Sequence, residues 1–261
     1  MDNFGLDSRL LVGIIRGYTS HKGVVVILWQ GLSLIDGKTP VVCIMTGLDS
    51  KSANRKTGAM VQTYIIRSDM GPVEAVKLRE DVGICGGCVH RKQENGRRTC
   101  YVNLGQGPRA VYDGFVRGIY PVVSLDEAGR AVAGKFVRFG TYGDPAAVPV
   151  EIWQTLAASA SGRTGYTHQW RNRKFSALAP LMQASCETAQ DVERAHILGF
   201  LGTFRVVPLG DEIPTNALHC PASEEMGKSV QCIDCRACDG SRDVAIYAHG
   251  ISKNFYQLAR A

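Results

Sequence analysis

The sequence has few features of an exported or membrane protein. Its longest apolar run, Val24–Trp29, is far too short to cross a bilayer. Met1–Asp7 has no basic segment leading into an apolar stretch, which argues against a signal peptide. We therefore expect a soluble, cytoplasmic protein that has no membrane partner.

Low-complexity tracts and convincing internal repeats are also missing, which argues against a disordered tail and a repeat array. The composition is that of an ordinary globular protein, with 45% hydrophobic and 21% charged residues among 261. A chain of this length can bury a full core, either as one large α/β domain or as two smaller domains.

The sequence is moderately basic, with a formal net charge of +6. The basic residues gather in Lys51–Lys56, in His90–Lys92 with Arg97 and Arg98, and in Arg171–Lys174. Such groups are either solvated loops or contacts to a polyanion. Nucleic acid is therefore one expected kind of partner.

Cysteine, by contrast, is abundant. Nine cysteines without a secretory signal indicate metal binding rather than a disulfide framework. Only Cys43 and Cys186 stand alone. The first Cys group is Cys85, Cys88 and Cys100, and the second Cys group is Cys220, Cys232, Cys235 and Cys238.

The second Cys group supplies four soft ligands to one small volume. Cys232, Cys235 and Cys238 are spaced at i, i+3 and i+6, and Pro221 follows Cys220. Thiolates on one loop can reach separate irons of a 4Fe–4S cluster, whereas zinc usually takes two Cys-x-x-Cys pairs from different segments. We expect a fully ligated 4Fe–4S cluster here, with zinc as the alternative metal.

The first Cys group offers only three thiolates, with eleven residues between Cys88 and Cys100. Three thiolates on a four-iron cluster leave one iron free to bind a small molecule. Alternatively, Cys43, His90 or Cys186 closes the site, because structural metal sites with four protein ligands are the norm.

The first 80 residues carry the signals of a β-rich region. Val24–Trp29, Thr39–Met45 and Ala59–Ile66 are strand candidates, and the Asp36-Gly37 pair between the first two is a hairpin signal. A short helix is expected at Val73–Arg79, before the first Cys group.

From residue 105 the predicted helices and strands alternate. The helices are Pro108–Arg117, Val148–Ala160, Thr188–Leu198 and Ser252–Ala259; the strands are Phe136–Thr141, Tyr166–His168, Leu181–Ser185, Gly202–Val207 and Val244–Ala248. This order predicts parallel strands joined by helical crossovers over residues 81–215, in a partial (β/α) barrel or an open parallel sheet. Residues 216–261 are expected to form a metal-binding segment with the last strand and a closing helix.

Polar residues follow the predicted strands where parallel sheets bind ligands. Gly140–Asp144 joins a strand to a helix, and its small residues let a ligand approach the backbone. His168 and Gln169 end another strand beside Trp170, which either stacks on a planar ligand or plugs the core. We expect a small-molecule ligand or cofactor to bind at Gly140, Thr141, Tyr142, Gly143 and Asp144, with Asp144, His168 and Gln169 as catalytic residues.

Distinctive short motifs are spread over most of the chain from about residue 50. They are Asn54–Gly58, Ile84–Cys88, Cys100–Asn103, Arg138–Pro145, Tyr166–Trp170, Thr203–Val206 and the second Cys group. Together they resemble a Cys-rich protein family carried by phages and prophages. The resemblance implies the cytoplasm of a bacterial host and brings no function with it.

Three cysteines ending in Cys100-Tyr101 precede a (β/α) series whose second element contains Phe139–Pro145. This order distantly resembles radical S-adenosylmethionine enzymes, in which a Gly-Gly-Glu-Pro turn holds the methionine amino group. The resemblance implies a 4Fe–4S cluster on Cys85, Cys88 and Cys100 whose open iron is chelated by S-adenosylmethionine. It also implies an auxiliary cluster on the second Cys group.

The chain departs from that family at two points. Its cysteines are spaced Cys-x2-Cys-x11-Cys instead of Cys-x3-Cys-x2-Cys, and Asp144 stands where the family has Glu. Either the cluster is held in an unusual way, or the fold is shared without the radical chemistry.

Overall fold

The computed structural model describes residues 24–49, 54–223 and 227–248. The predicted closing helix Ser252–Ala259 and the basic residue Lys51 lie outside the described residues.

The described residues form one sheet of nine strands, almost in sequence order. The strands are β1 (Val26–Leu32), β2 (Pro40–Thr46), β3 (Val61–Arg67), β4 (Phe136–Tyr142), β5 (Gly162–Thr167), β6 (Gln183–Cys186), β7 (Thr203–Val207), β8 (Leu218–His219) and β9 (Val244–Tyr247). Their spatial order is β1-β2-β3-β4-β5-β6-β7-β9-β8. The β1–β2 and β2–β3 pairs are antiparallel, and every pair from β3 onwards is parallel.

The sheet is open, since β1 and β8 are unpaired edges in the described part of the chain. The expected α/β class is therefore confirmed in its open-sheet form rather than as a barrel. The sheet also runs without interruption past residues 80 and 215, because β3 pairs with β4 and β7 pairs with β9.

The antiparallel β1–β2 hairpin forms at the Asp36-Gly37 signal. Asp36 Oδ1 accepts hydrogen bonds from the backbone N–H groups of Lys38 and Thr39, both at 3.0 Å. Gly37 has a positive φ of 70°, which a residue without a side chain adopts easily. The predicted turn is confirmed.

The crossovers contain seven α-helices and three 3₁₀ turns in the described residues. The helices are α1 (Pro72–Leu78), α2 (Val82–Cys85), α3 (Gly107–Val116), α4 (Leu125–Val132), α5 (Val150–Ser159), α6 (Ala189–Ile197) and α7 (Cys232–Cys235); the 3₁₀ turns are Pro145–Ala147, Gln169–Arg171 and Arg173–Leu178. No helix in these described ranges combines the length and the apolar character that a bilayer crossing needs.

Several elements differ from the sequence-based prediction. The short helices α2 and α7 and strand β8 were not predicted. Helix α4 was not predicted, although Ser124 and Glu127 form a capping box, with Glu127 N donating to Ser124 Oγ at 3.2 Å and Ser124 N donating to Glu127 Oε2 at 2.8 Å. Strand β5 begins at Gly162, four residues before the predicted start. Gly162 and Gly165 lie against Phe136 and Phe139, so this strand carries no apolar pattern on which a prediction could rest.

The two faces of the sheet differ. Sequential parallel strands with right-handed crossovers place their helices on one face, and on that face Trp153 of α5 packs on Phe139 with ring centroids 5.0 Å apart. Arg138, next to Phe139, alternates to the opposite face. Both Cys-containing connections lie over that opposite face, where they enclose a cavity.

Candidate metal and ligand site

The first Cys group lies in the connection between β3 and β4. Cys85 ends α2, and the backbone N–H of Cys88 donates to Cys85 O at 3.2 Å. The chain then returns, because Cys100 N donates to His90 O at 3.0 Å. Burial raises the pKa of the Cys85 thiol well above its usual value, and the nearby Cys88 and Cys100 thiols raise it further.

A buried ion pair holds this connection in place. Arg91 Nη2 and Nε donate to Asp81 Oδ1 at 2.6 and 2.9 Å, and the Asp81 side chain is 3% exposed. Arg91 Nη1 also donates to Gly86 O at 3.2 Å, between the first two cysteines. The guanidinium therefore ties the start of the first Cys group to the end of α1.

Asp144 is the point at which β4, β5 and the first Cys group meet. Its Oδ1 accepts from Thr167 Oγ1 at 2.8 Å and Ala146 N at 3.0 Å. Its Oδ2 accepts from His168 N at 2.8 Å and Gln169 Nε2 at 3.4 Å. Gln169 Nε2 also lies 3.2 Å from Cys85 O, so the carboxylate and the amide together position the first Cys group. Catalytic roles for Asp144 and Gln169 stay predictions.

His168 reaches the first Cys group from the end of β5. Its Nε2 lies 3.6 Å from Cys88 Sγ and 3.4 Å from Glu187 Oε1, and His90 packs edge-on to it with ring centroids 5.6 Å apart. One ligand atom each from His90, His168 and Glu187 fall within 4.8 Å of one another. This is a compact group of potential metal ligands that includes the predicted site residue His168.

The second Cys group is fixed to β5, to β9 and to the segment before β3 by backbone hydrogen bonds. Cys220 N donates to Ala245 O at 2.8 Å, Cys232 N donates to Lys56 O at 2.8 Å, and Gly165 N donates to Cys238 O at 3.2 Å. Burial raises the pKa of the Cys238 thiol to about 12. Burial also raises the pKa of the Cys220 and Cys232 thiols, and metal binding at these thiols displaces their protons.

Both Cys groups line the same cavity, whose volume is about 480 Å³. Its walls include all seven grouped cysteines, the turn Gly140–Asp144 and His168. Gln169 does not line the cavity, although its side-chain amide donates to the backbone carbonyl of Cys85. Apart from Gln169, all of the predicted site residues therefore line this one cavity.

Arg138 forms part of the cavity wall between the two Cys groups. It is 8% exposed, its Nη2 donates to Tyr101 Oη at 2.8 Å, and its guanidinium carbon lies 5.6 Å from the centre of the Tyr166 ring. Burial lowers the pKa of Arg138, but Tyr101, Tyr166 and the Cys232 and Cys238 thiols outweigh burial and raise it. A buried cation thus lies next to the thiols of the second Cys group.

Two buried hydroxyls on the cavity wall have no hydrogen-bond partner among the described residues: Tyr142 Oη and Thr164 Oγ1. Tyr142 is 3% exposed and Thr164 is 2% exposed. Burying a hydroxyl without a partner is unfavourable. Burial raises the pKa of Tyr142, and Cys85 and Cys100 contribute to the shift, so this phenol lies close to the first Cys group.

Of the three fourth ligands suggested by the sequence, only His90 lines the cavity. Cys43 is fully buried in β2 within the main apolar core. Cys186 is 2% exposed and packs with Trp170 and Phe200. Both isolated cysteines are therefore core residues, and His168 takes the place beside Cys88 that the sequence did not assign.

Several residues of the basic segments make contacts with other residues of the same chain. Arg171 pairs with Glu187 at 3.3 Å and with Asp191 at 2.7 Å, and its guanidinium lies 4.1 Å from the Trp170 ring centre. Lys174 Nζ donates to Leu34 O at 2.7 Å. Trp170 itself is 2% exposed, so it plugs the core. Nucleic-acid binding stays a prediction.

The sequence placed Ser185–Glu187 among the polar residues expected at the ligand-binding edge of the sheet, but it assigned no role to Arg138 or Thr164. A signal was present for Arg138, which interrupts the apolar strand Phe136–Tyr142 at a position that alternates with Phe139. The sequence did not group Glu187 with His90 and His168, because these residues are 97 and 19 positions away.

Comparisons of the chain with protein-family models, with curated proteins and with solved structures gave no match. The two resemblances drawn from the sequence motifs therefore stay predictions.

Proposed function

We propose that this chain is an iron–sulfur enzyme with two cluster sites on one face of an open α/β sheet. Cys85, Cys88 and Cys100 hold a 4Fe–4S cluster with an open iron, and the second Cys group holds a saturated one. One observation carries the proposal: all seven grouped cysteines, from two separate connections, line a single cavity beside the turn Gly140–Asp144.

The spacing of the thiols favours clusters over single zinc ions. Among the described residues, no three thiol sulfurs lie within 4.8 Å of one another. A tetrahedral zinc with Zn–S bonds of about 2.3 Å requires sulfur–sulfur distances of about 3.8 Å. Thiolates that bind separate irons of a cluster are spread more widely.

The charge and polarity of the cavity wall also fit a bound anionic group. A 4Fe–4S cluster with four thiolates carries net negative charge, and Arg138 is a buried cation beside Cys232 and Cys238. A group bound in the cavity would also offer a partner to the buried hydroxyls of Tyr142 and Thr164.

Strand order supports S-adenosylmethionine as the small molecule. The first Cys group lies in the crossover of the first parallel pair, β3–β4, and the Gly-rich turn follows β4. This is the order implied by the resemblance to radical S-adenosylmethionine enzymes. When bound, a reduced cluster supplies one electron for cleavage of the sulfonium.

The residues of the chain itself would bind and orient the ligand. The turn Gly140–Asp144 lies on the cavity wall, where its glycines leave the backbone accessible. Asp144 accepts hydrogen bonds at both oxygens, so its role here is to fix this turn against β5. Apolar side chains of β7 and β9, including Phe204 and Ile246, also line the cavity and help to exclude water.

The test is anaerobic reconstitution with iron and sulfide, followed by dithionite and S-adenosylmethionine, with 5′-deoxyadenosine as the measured product. We expect product from the wild-type chain and none from the Cys85→Ala/Cys88→Ala/Cys100→Ala variant. The matched control is Cys43→Ala/Cys186→Ala, which removes two core thiols that do not line the cavity and should retain product formation.

Two results would count against the proposal. If a wild-type sample that contains iron and sulfide forms no more 5′-deoxyadenosine than the triple variant, the radical reaction is excluded. The protein would then still be an iron–sulfur protein. A colourless sample with stoichiometric zinc would remove the clusters as well.

A further inference from the structure

A second kind of metal site is formed by His90, His168 and Glu187. We infer that these three residues bind one divalent metal ion, zinc or ferrous iron, at the edge of the cavity. The site uses nitrogen and oxygen donors, and it does not depend on whether either Cys group holds iron.

The distance between His168 and Glu187 matches a tetrahedral ion. Metal–nitrogen and metal–oxygen bonds of about 2.1 Å place neighbouring ligand atoms about 3.4 Å apart. His168 Nε2 and Glu187 Oε1 are 3.4 Å apart, and the His90 ligand atom lies within 4.8 Å of both. Two imidazoles and one carboxylate form a donor set that suits zinc and iron.

Neighbouring groups orient each ligand, as outer-shell partners do in metal sites. Thr99 Oγ1 lies 2.9 Å from His90 Nδ1. Arg171 Nη2 lies 3.3 Å from Glu187 Oε2, whereas His168 contacts the other oxygen, Oε1. Asp144 Oδ2 accepts from the backbone N–H of His168 at 2.8 Å.

Cys88 lies next to this site without completing it. Its Sγ is 3.6 Å from His168 Nε2 but does not lie within 4.8 Å of the ligand atoms of all three residues. Cys88 therefore borders both the first Cys group and the His90–His168–Glu187 site, and a ligand or water bound to the divalent ion would face the cavity.

The experiment is a cobalt(II) titration of the anaerobically purified full-length protein, with cobalt, iron and sulfide measured per chain. The wild type is expected to bind one cobalt that Glu187→Gln and His90→Gln each weaken by roughly tenfold or more. Glu193→Gln, an exposed change on α6, the helix that follows Glu187, is the matched control and should bind like the wild type.

Proton NMR of the cobalt-loaded wild type gives a readout that needs no variant. Two strongly shifted, exchangeable imidazole N–H signals are expected from His90 and His168. Cobalt binding that is unchanged in both ligand variants, or a spectrum without those signals, would overturn the inference. Equal iron and sulfide contents in the wild type and the variants show that the proposed clusters are unaffected. A change in cobalt binding then reports on the His90–His168–Glu187 site alone.

Discussion

At the scale of single residues, Asp144 shows how one buried carboxylate can organise a site. It is 6% exposed and accepts hydrogen bonds from three consecutive residues of β5 and its turn, Thr167, His168 and Gln169. A Glu side chain is one methylene longer and would not keep these contacts without a backbone shift. The length of an Asp side chain therefore matches the local geometry at this position.

We expect Asp144→Asn to destabilise the fold. The amide keeps one acceptor oxygen but turns an N–H₂ group toward the donors at the other, which include either Thr167 Oγ1 or His168 N. Hydrogen bonds to charged groups contribute about 1.5–3 kcal/mol each. The free energy of unfolding, measured with denaturant at equal metal content, should fall by about 3 kcal/mol. Asp113→Asn, whose ion pair with Arg109 is exposed, is the control and should change it by less than about 0.5 kcal/mol. Equal effects of the two changes would contradict this role of Asp144.

Arg138 shows where residue-by-residue prediction from sequence stops. A single Arg in an apolar strand is visible in the sequence, but its neighbours Tyr101, Tyr166 and Cys238 come from three other segments. Only the folded sheet reveals that this cation lies on the wall between two Cys groups.

At the scale of elements, the turn after β4 depends on glycine. Gly143 has a positive φ of 83°, and a side chain there would collide with the backbone carbonyl of Ile65. Gly118, at the end of α3, also has a positive φ, of 67°, but it has open space around it. The two positions separate the cost of the backbone conformation from the cost of the collision.

Gly118→Ala is expected to lower the free energy of unfolding by about 1 kcal/mol, the usual penalty for a left-handed alanine. Gly143→Ala should lower it by more, because the turn must also move away from β3. Thermal and denaturant unfolding of both variants will measure the difference. Similar losses in the two variants would show that the approach of this turn to Ile65 is not tight.

The prediction of elements succeeded where a periodic pattern or a turn signal was present. The Asp36-Gly37 hairpin and the apolar strands β2 and β7 lie close to their predicted positions. Strand β5 was only partly predicted, because glycines replace apolar residues at Gly162 and Gly165. Helix α4 was missed although its Ser124–Glu127 capping box could have been recognised.

At the scale of the whole molecule, the sequential parallel order brings two distant Cys groups together. The loop after β3 and the connection between β7 and β9 both cross the face of the sheet that carries Arg138 and Tyr166. The sequence predicted each group from its spacing and an α/β sheet from its alternation. The two groups share one cavity because both connections cover the same face of the sheet. The spacing of the cysteines does not reveal which face a connection covers.

The central claim is that the grouped cysteines hold two iron–sulfur clusters, and elemental analysis of anaerobically purified protein tests it most directly. We expect a brown protein with about eight irons and eight sulfides per chain, as two four-iron clusters require. Cys85→Ala/Cys88→Ala/Cys100→Ala and Cys232→Ala/Cys235→Ala/Cys238→Ala should each lose about half, while Cys43→Ala/Cys186→Ala should lose none. A wild-type sample with neither iron nor sulfide, or with zinc in their place, would contradict the account.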